Sequence, residues 1–321
     1  IITSDWSSDV CSSDLPFEYP EVLQFTDAMN KSFWVHSEVE FTADVQDFKS
    51  NLSPSEKEVV KRSLLGIAQV EVAVKTFWGD LYKYIPKPEF NGVGATFAES
   101  EFRHSEAYSR LLEVLGYNNE FEKLVEVPIF KRKLELFEKH FGQDISFINK
   151  LLFFVIVIEN TSLFSQFANI LSFTRFKGYM KNTANIIAWT SVDEQTHANA
   201  GVYILGKIFE EYPEERLSQE TLETIIKDYI SYESELLDWI YENGELSFYT
   251  KEDVLNFMKY RVDMAITQLG YNKIFDITPQ QYSKMKWFDE DVFANELDDF
   301  FAKRPTAYTK HDKSITGDDL F

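Results

Sequence analysis

A chain of 321 residues with a formal net charge of −21 is a poor partner for nucleic acid, whose phosphates select basic patches. Its 44% hydrophobic content, with 29 Phe and 16 Tyr, supports a large core, while only 12 Gly and 9 Pro disfavour a turn-rich β-sandwich. The longest apolar run, Leu151 to Ile158, is interrupted by Glu159 and too short to cross a bilayer, and no basic-then-apolar leader opens the chain. A soluble cytoplasmic protein without membrane contact is therefore expected.

Residues 1–15 stand apart. Asp5 to Leu15 reads DWSSDVCSSDL, Ser/Asp-rich and unlike anything after it. The string resembles the translation of a common short-read sequencing adapter, so residues 1–15 are expected to be an assembly artefact rather than native sequence. Cys11, the single cysteine, goes with them. Either way, one cysteine excludes internal disulfides and any cysteine-based metal site.

From there the chain reads as helices. Residues 16–52 look irregular, with Pro16, Pro20 and the aromatic pair Phe33-Trp34. Ser53-Pro54-Ser55-Glu56 is a helix start: a serine cap, proline at the first helical position, and glutamate completing a capping box. This helix is expected to reach about Tyr84, before Pro86 and Pro88. Leu64, Ile67, Ala68, Glu71, Val74, Lys75 and Trp78 share one stripe along it. Glu71 is the odd member of a mostly apolar face. A buried carboxylate is costly unless paired or bound to metal, so Glu71 either pairs with Lys75, one turn on, or is a ligand.

Asn91-Gly92-Val93-Gly94 is expected to start a second long helix, carrying Glu101, His104 and Tyr108 and ending at Gly116. An amphipathic helix follows over about 120–140. The next, about 144–173, is apolar nearly all round and should be central; Glu159 sits in its middle with Leu163 and Phe167 on the same stripe. A fifth long helix, about 179–209, carries Asp193, Glu194 and His197. Helices near 218–242 and 250–269 complete an all-α bundle. The stretch from about Arg304 to Phe321 is polar and charged and reads as a disordered tail.

Two of only five histidines lie three residues after a glutamate, in Glu101-Phe102-Arg103-His104 and Glu194-Gln195-Thr196-His197. On a helix, positions i and i+3 share a face. Each pattern follows a lone glutamate on an apolar helix, Glu71 by 30 residues and Glu159 by 35. Four carboxylates and two imidazoles suit a pair of iron- or manganese-type ions bridged by carboxylates. Two single-Glu helices and two Glu-x-x-His helices are the ligand plan of a ferritin-like bundle with a dinuclear metal site in its core. A zinc hydrolase needs fewer carboxylates and an open position.

On these residues the chain resembles the small, radical-generating subunit of class I ribonucleotide reductase, over essentially residues 20–321. Phe33-Trp34-Val35-His36-Ser37-Glu38 resembles that family's aromatic-Trp-x-x-x-Glu segment, Asp193-Glu194-Gln195-Thr196-His197 its Asp-Glu-x-x-His segment, and Phe300 to Arg304 with Tyr308 its tail. The resemblance implies a ferritin-like domain over 16–303 and a tail, 304–321, docking on a large catalytic subunit. It also implies a homodimer and a metal cofactor whose oxidising equivalent starts ribonucleotide reduction in the large subunit. By family position Tyr108 matches the radical tyrosine, Trp34 and Asp193 the internal relay, and Tyr308 the mobile tail tyrosine. Leu163 and Phe167 are expected to wall the site against solvent.

One departure bears on the metal. Iron–tyrosyl members commonly have Asp at the first ligand, where this chain has Glu71. Glu there resembles members that use manganese, and the manganese–iron members lack the tyrosine that Tyr108 retains. A manganese pair is therefore favoured over di-iron or manganese–iron. Lys75 is expected to attract an anionic oxidant such as superoxide. The rival expectation is a stand-alone ferritin-like di-metal oxidase or ligand-binding oxidase, which has no need of Trp34, Asp193 and the Tyr308 tail.

Overall fold

The computed structural model describes residues 17–293; the 1–15 segment and the 304–321 tail with Tyr308 lie outside the described residues. Among those residues every regular element is helical. The stretch expected to be irregular is half helix. After a 3₁₀ turn at Pro20–Val22 come α1 (Leu23–Lys31) and α2 (Thr42–Ser50). Pro20 occupies the first position of its turn, where a missing N–H is no loss. Val22, Met29 and Phe48 anchor these short pieces in the core.

Helix α3 (Pro54–Gly79) starts as the sequence predicts. The Ser53 hydroxyl accepts from the Glu56 N–H at 3.3 Å, and the Glu56 carboxylate accepts from the Ser53 N–H at 2.9 Å. It stops earlier than expected, at Gly79, and α4 (Leu81–Tyr84) follows as a separate turn. Helix α5 (Pro88–Leu115) begins at Pro88 rather than at 91–94. The proline that reads as a stop is the first residue of the next helix. Gly116 closes α5 in the left-handed region, φ 83°.

The helix expected over 120–140 is divided into α6 (Asn118–Glu122), a 3₁₀ turn, and α7 (Pro128–Phe141), again with proline at the first position. The central apolar helix is a composite rod: α8 (Phe147–Phe153), a π-helical segment (Phe154–Ser162) and α9 (Phe164–Lys177). A π turn widens the helix so that carbonyls are left for side chains. Here Asn160 Nδ2 donates to the Val155 carbonyl at 2.9 Å and Thr161 Oγ1 to the Ile156 carbonyl at 2.7 Å. By length and composition the rod, Phe147–Lys177, is apolar enough to cross a membrane, with mean hydropathy 1.6. Its most apolar window is wholly buried by the protein's own helices, as befits a core element.

Helix α10 (Lys181–Glu211) lies against the rod. At Gly201 an added Cβ would stand 2.2 Å from Val155 Cγ2, so only glycine admits the π segment this closely. The start of α10 is fixed by α2, where Asp47 accepts from the Met180 N–H at 3.0 Å and Asp44 from the Thr183 N–H at 2.5 Å. Helices α11 (Gln219–Ile240) and α12 (Lys251–Gln268) cover the rod, and α13 (Pro279–Tyr282) and α14 (Lys286–Val292) finish the described chain. Four elements thus surround one interior: α3, α5, the composite rod and α10.

Candidate metal centre

Each of these four elements turns acidic or imidazole groups inward. Glu101 and His104 share one face of α5, and Glu194 and His197 one face of α10. Glu71 comes from α3 and Glu159 from the π segment. All six side chains are buried. They form two groups, Glu71, Glu101, His104 and Glu194, and Glu101, Glu159, Glu194 and His197, with the donor atoms of each group within 4.8 Å of one another. Glu101 and Glu194 belong to both.

The two carboxylates lie between the two imidazoles. His104 Nδ1 is 3.0 Å from Glu194 Oε1, 3.4 Å from Glu101 Oε2 and 3.6 Å from Glu71 Oε2. His197 Nδ1 is 3.1 Å from Glu101 Oε1, 3.4 Å from Glu194 Oε2 and 3.5 Å from Glu159 Oε2. None of these contacts has hydrogen-bond geometry. Both oxygens of Glu71 and of Glu101, one each of Glu159 and Glu194, and both Nδ1 atoms are buried without a hydrogen-bond partner. Such a concentration of unsatisfied acceptors and charge is expensive in a protein interior unless a cation takes it up. The donor set fits two hard divalent ions, with Glu101 and Glu194 placed to bridge them.

The electrostatics carry the same strain. Burial pushes the Glu71 carboxyl up to about 8, against the pull of His104, and drives Glu159 well above the usual carboxylate range. Glu194 is held low despite burial, because both imidazoles face it closely. Burial alone would depress the two histidines, but the surrounding acids hold both well above their ordinary value. Without a cation, Glu71, Glu159 and the two imidazoles are thus biased towards their protonated forms.

Behind the ligand atoms, a further layer fixes their orientation. His104 Nε2 lies 3.0 Å from Asp193 Oδ2, which also accepts from Trp34 Nε1 at 2.9 Å. The indole of Trp34 stacks on the His104 ring, centroids 5.6 Å apart and planes at 14°. On the other side, the Ser100 hydroxyl spends its proton on the Phe97 carbonyl at 2.9 Å, so its oxygen accepts from His197 Nε2, also at 2.9 Å. With Nε2 engaged outward, both imidazoles turn Nδ1 to the cluster, where it would ligate a bound cation. Trp78 Nε1 donates to Glu159 Oε1 at 2.8 Å.

The remaining predicted residues fall as follows. Tyr108 is buried one turn beyond His104; burial and then the charge of Glu71 push its hydroxyl well above the usual range. Lys75 is half-buried and, among the described residues, makes no ion pair, so the Glu71–Lys75 alternative is not what the structure contains; His104 faces Glu71 instead. Leu163 and Phe167 are buried in the rod beyond Glu159. Sequence reasoning missed Ser100, Trp78 and Arg103. Trp78 was legible as a member of the Glu71 stripe, but nothing in the pattern marked its indole as a donor. Arg103 is 5% exposed; its Nη1 donates to the Trp34 carbonyl at 2.9 Å and stands 4.0 Å from Asp193 Oδ2.

A helical bundle with this ligand plan defines a dinuclear-metal carboxylate protein of the ferritin-like class. Comparison with known proteins narrows it. Residues 14–282 match the family described as ribonucleotide reductase, small chain. The ribonucleoside-diphosphate reductase small chain of variola virus is 25% identical over 303 residues, 92% of this chain and 90% of that protein. Among solved structures, the ribonucleotide reductase R2 subunit of Clostridium botulinum superposes with a TM-score of 0.76 at 17% identity, covering 85% of this chain and 88% of that one. The dimanganese(II) NrdF of Streptococcus sanguinis gives 0.72 at 18%, covering 83% and 94%. These structural likenesses establish the shared fold. The chain belongs to the ribonucleotide reductase small-chain family, as a class I small subunit of that oxidoreductase.

Proposed function

We propose that this chain binds two metal ions through Glu71, Glu101, His104, Glu159, Glu194 and His197 and delivers an oxidising equivalent to a separate large subunit for ribonucleotide reduction. The observation that carries this reading is the continuous contact from Trp34 through Asp193 to His104, which an independent oxidase does not need. When bound, the metals supply one-electron redox chemistry. The chain's own residues do the rest. Asp193 accepts the indole proton of Trp34 and the Nε2 proton of His104 at one oxygen, so the two rings are electronically joined and held parallel. Tyr108 is a candidate radical site, because its hydroxyl is buried without a hydrogen bond and shielded from solvent.

A manganese pair remains the favoured loading, since Glu71 stands where iron–tyrosyl members commonly have Asp; di-iron and manganese–iron are the other outcomes. Electron paramagnetic resonance with metal analysis on protein activated in vitro distinguishes them. A sharp tyrosyl signal with iron overturns the manganese reading. Lys75 is proposed to steer an anionic oxidant, and Lys75→Met should then slow activation by superoxide. Leu163 and Phe167 are proposed to keep solvent from the cluster. The subunit is proposed to act as a cytoplasmic homodimer and to engage the large subunit through 304–321, with Tyr308 continuing the relay.

Deleting 304–321 tests the arrangement. Deoxyribonucleotide formation with the large subunit should be lost while metal content and spectrum are retained; full activity of the truncated chain would overturn it.

A further inference from the structure

We infer that Trp189 is the solvent-side end of a two-tryptophan relay, through which a one-electron donor outside the protein reaches Trp34. The inference rests on the reading of Trp34 as a relay residue and extends it. Trp189 lies on α10 one turn before Asp193, and its ring centroid is 5.6 Å from that of Trp34, with the planes at 41°. Trp34 is 3% exposed, whereas Trp189 is only partly buried. The two indoles therefore connect the His104 ring to the surface by successive ring contacts. Electron transfer between rings in contact is fast, and it falls steeply with each added ångström of gap.

The centre has a second indole, and the contrast is informative. Trp78 touches the cluster through Glu159 and His197, but its ring neighbours are Phe77, Phe97, Phe154 and His197, none as easily oxidised as an indole. Trp34 has an oxidisable neighbour leading outward; Trp78 has none among the described residues.

Arg103 borders the path: its guanidinium lies 5.6 Å from the Trp34 ring centroid and 4.6 Å from that of Phe33, and it is paired with Glu99. In the step itself, Trp189 gives one electron to oxidised Trp34, and a small reductant of the ascorbate type gives one to oxidised Trp189. No bond forms or breaks, and the Trp34 indole proton stays on its hydrogen bond to Asp193.

The test uses the full-length metal-free chain and flash-generated tris(bipyridine)ruthenium(III), which takes one electron from accessible indoles. Oxidised tryptophans are located by peptide mass spectrometry. In the wild type, Trp34 should be oxidised despite its burial. In Trp189→Phe, Trp34 oxidation should fall severalfold while Trp239, a partly buried indole elsewhere, is unchanged. Trp189→Tyr keeps an oxidisable ring and should retain most of the Trp34 signal. Unchanged Trp34 oxidation in Trp189→Phe, or an equal loss in both variants, overturns the proposal. A Trp34→Phe variant that still supports deoxyribonucleotide formation removes the relay role itself, a failure visible independently of the photo-oxidation map.

Discussion

Trp78 Nε1 donates to Glu159 Oε1 at 2.8 Å, joining a residue near the end of α3 to the one ligand carried by the π segment. It leaves Glu159 Oε2 as the free oxygen of that carboxylate. Trp78→Phe keeps an aromatic ring but removes the donor. Outer-layer partners of this kind are worth about 10–100-fold in metal affinity. Competition titration with manganese should show that loss mainly at the position built on His197. Equal weakening of both positions would count against the assignment.

Asp193→Ala should act on the opposite side. The change removes the acceptor that fixes both the His104 tautomer and the Trp34 indole. Metal affinity at the His104 position should drop by roughly tenfold or more. Trp34 emission should shift as its indole loses the hydrogen bond. Retention of full affinity would mean that His104 orients without Asp193.

The metal-free chain should lose stability as pH rises. Glu71 titrates near 8 in the fold against an ordinary 4.5, so its protonated form favours the folded state. That contribution is complete below about 4.5 and vanishes as pH climbs through 8. The raised imidazoles act in the same direction, since their charged forms are held by the surrounding acids. Denaturant titrations of metal-free protein between pH 5 and 8.5 should show a falling midpoint. Saturating manganese should abolish the trend, because ligation displaces those protons, and manganese affinity itself should rise with pH. A metal-free midpoint independent of pH sinks this prediction.

Ser53→Ala removes the hydroxyl cap of α3 and with it one half of the capping box, while the backbone N–H of residue 53 can still donate to Glu56. The loss should be about 1 kcal/mol by chemical denaturation. Metal content after reconstitution should be unchanged, since Glu71 lies several turns inside the helix. Loss of metal would show that the start of α3 is coupled to the site.

Side-chain period and caps made the bundle and the six-donor set legible: Glu71 stood out on an apolar stripe, and the two Glu-x-x-His patterns implied shared faces. The boundaries were harder. Pro20 and Pro88 read as breakers, and Pro128 fell unnoticed inside one expected helix, yet each opens a helical piece, because proline lacks only an N–H that the first turn leaves unused. The short helices α1 and α2 escaped notice because nine residues carry too few turns for a clear stripe. Lys133 gave no warning either. In a helix that reads as amphipathic it is buried, and its ammonium is lowered to about 8 by burial against the charge of Glu233. Ser100 and Arg103 were invisible because their roles depend on which rings α10 and the Trp34 segment bring alongside them.

The widened turn in the central rod has a bearing on how the gene can change. A helix advances about 100° per residue, so the extra residue accommodated between Phe154 and Ser162 sets the rotational phase of everything beyond it. Losing a single codon there would let the segment relax to ordinary winding, swing the flanking halves out of phase, and carry Glu159 off the common axis without altering any ligand. Length within those nine positions therefore shapes the centre, as the identity of the acids does.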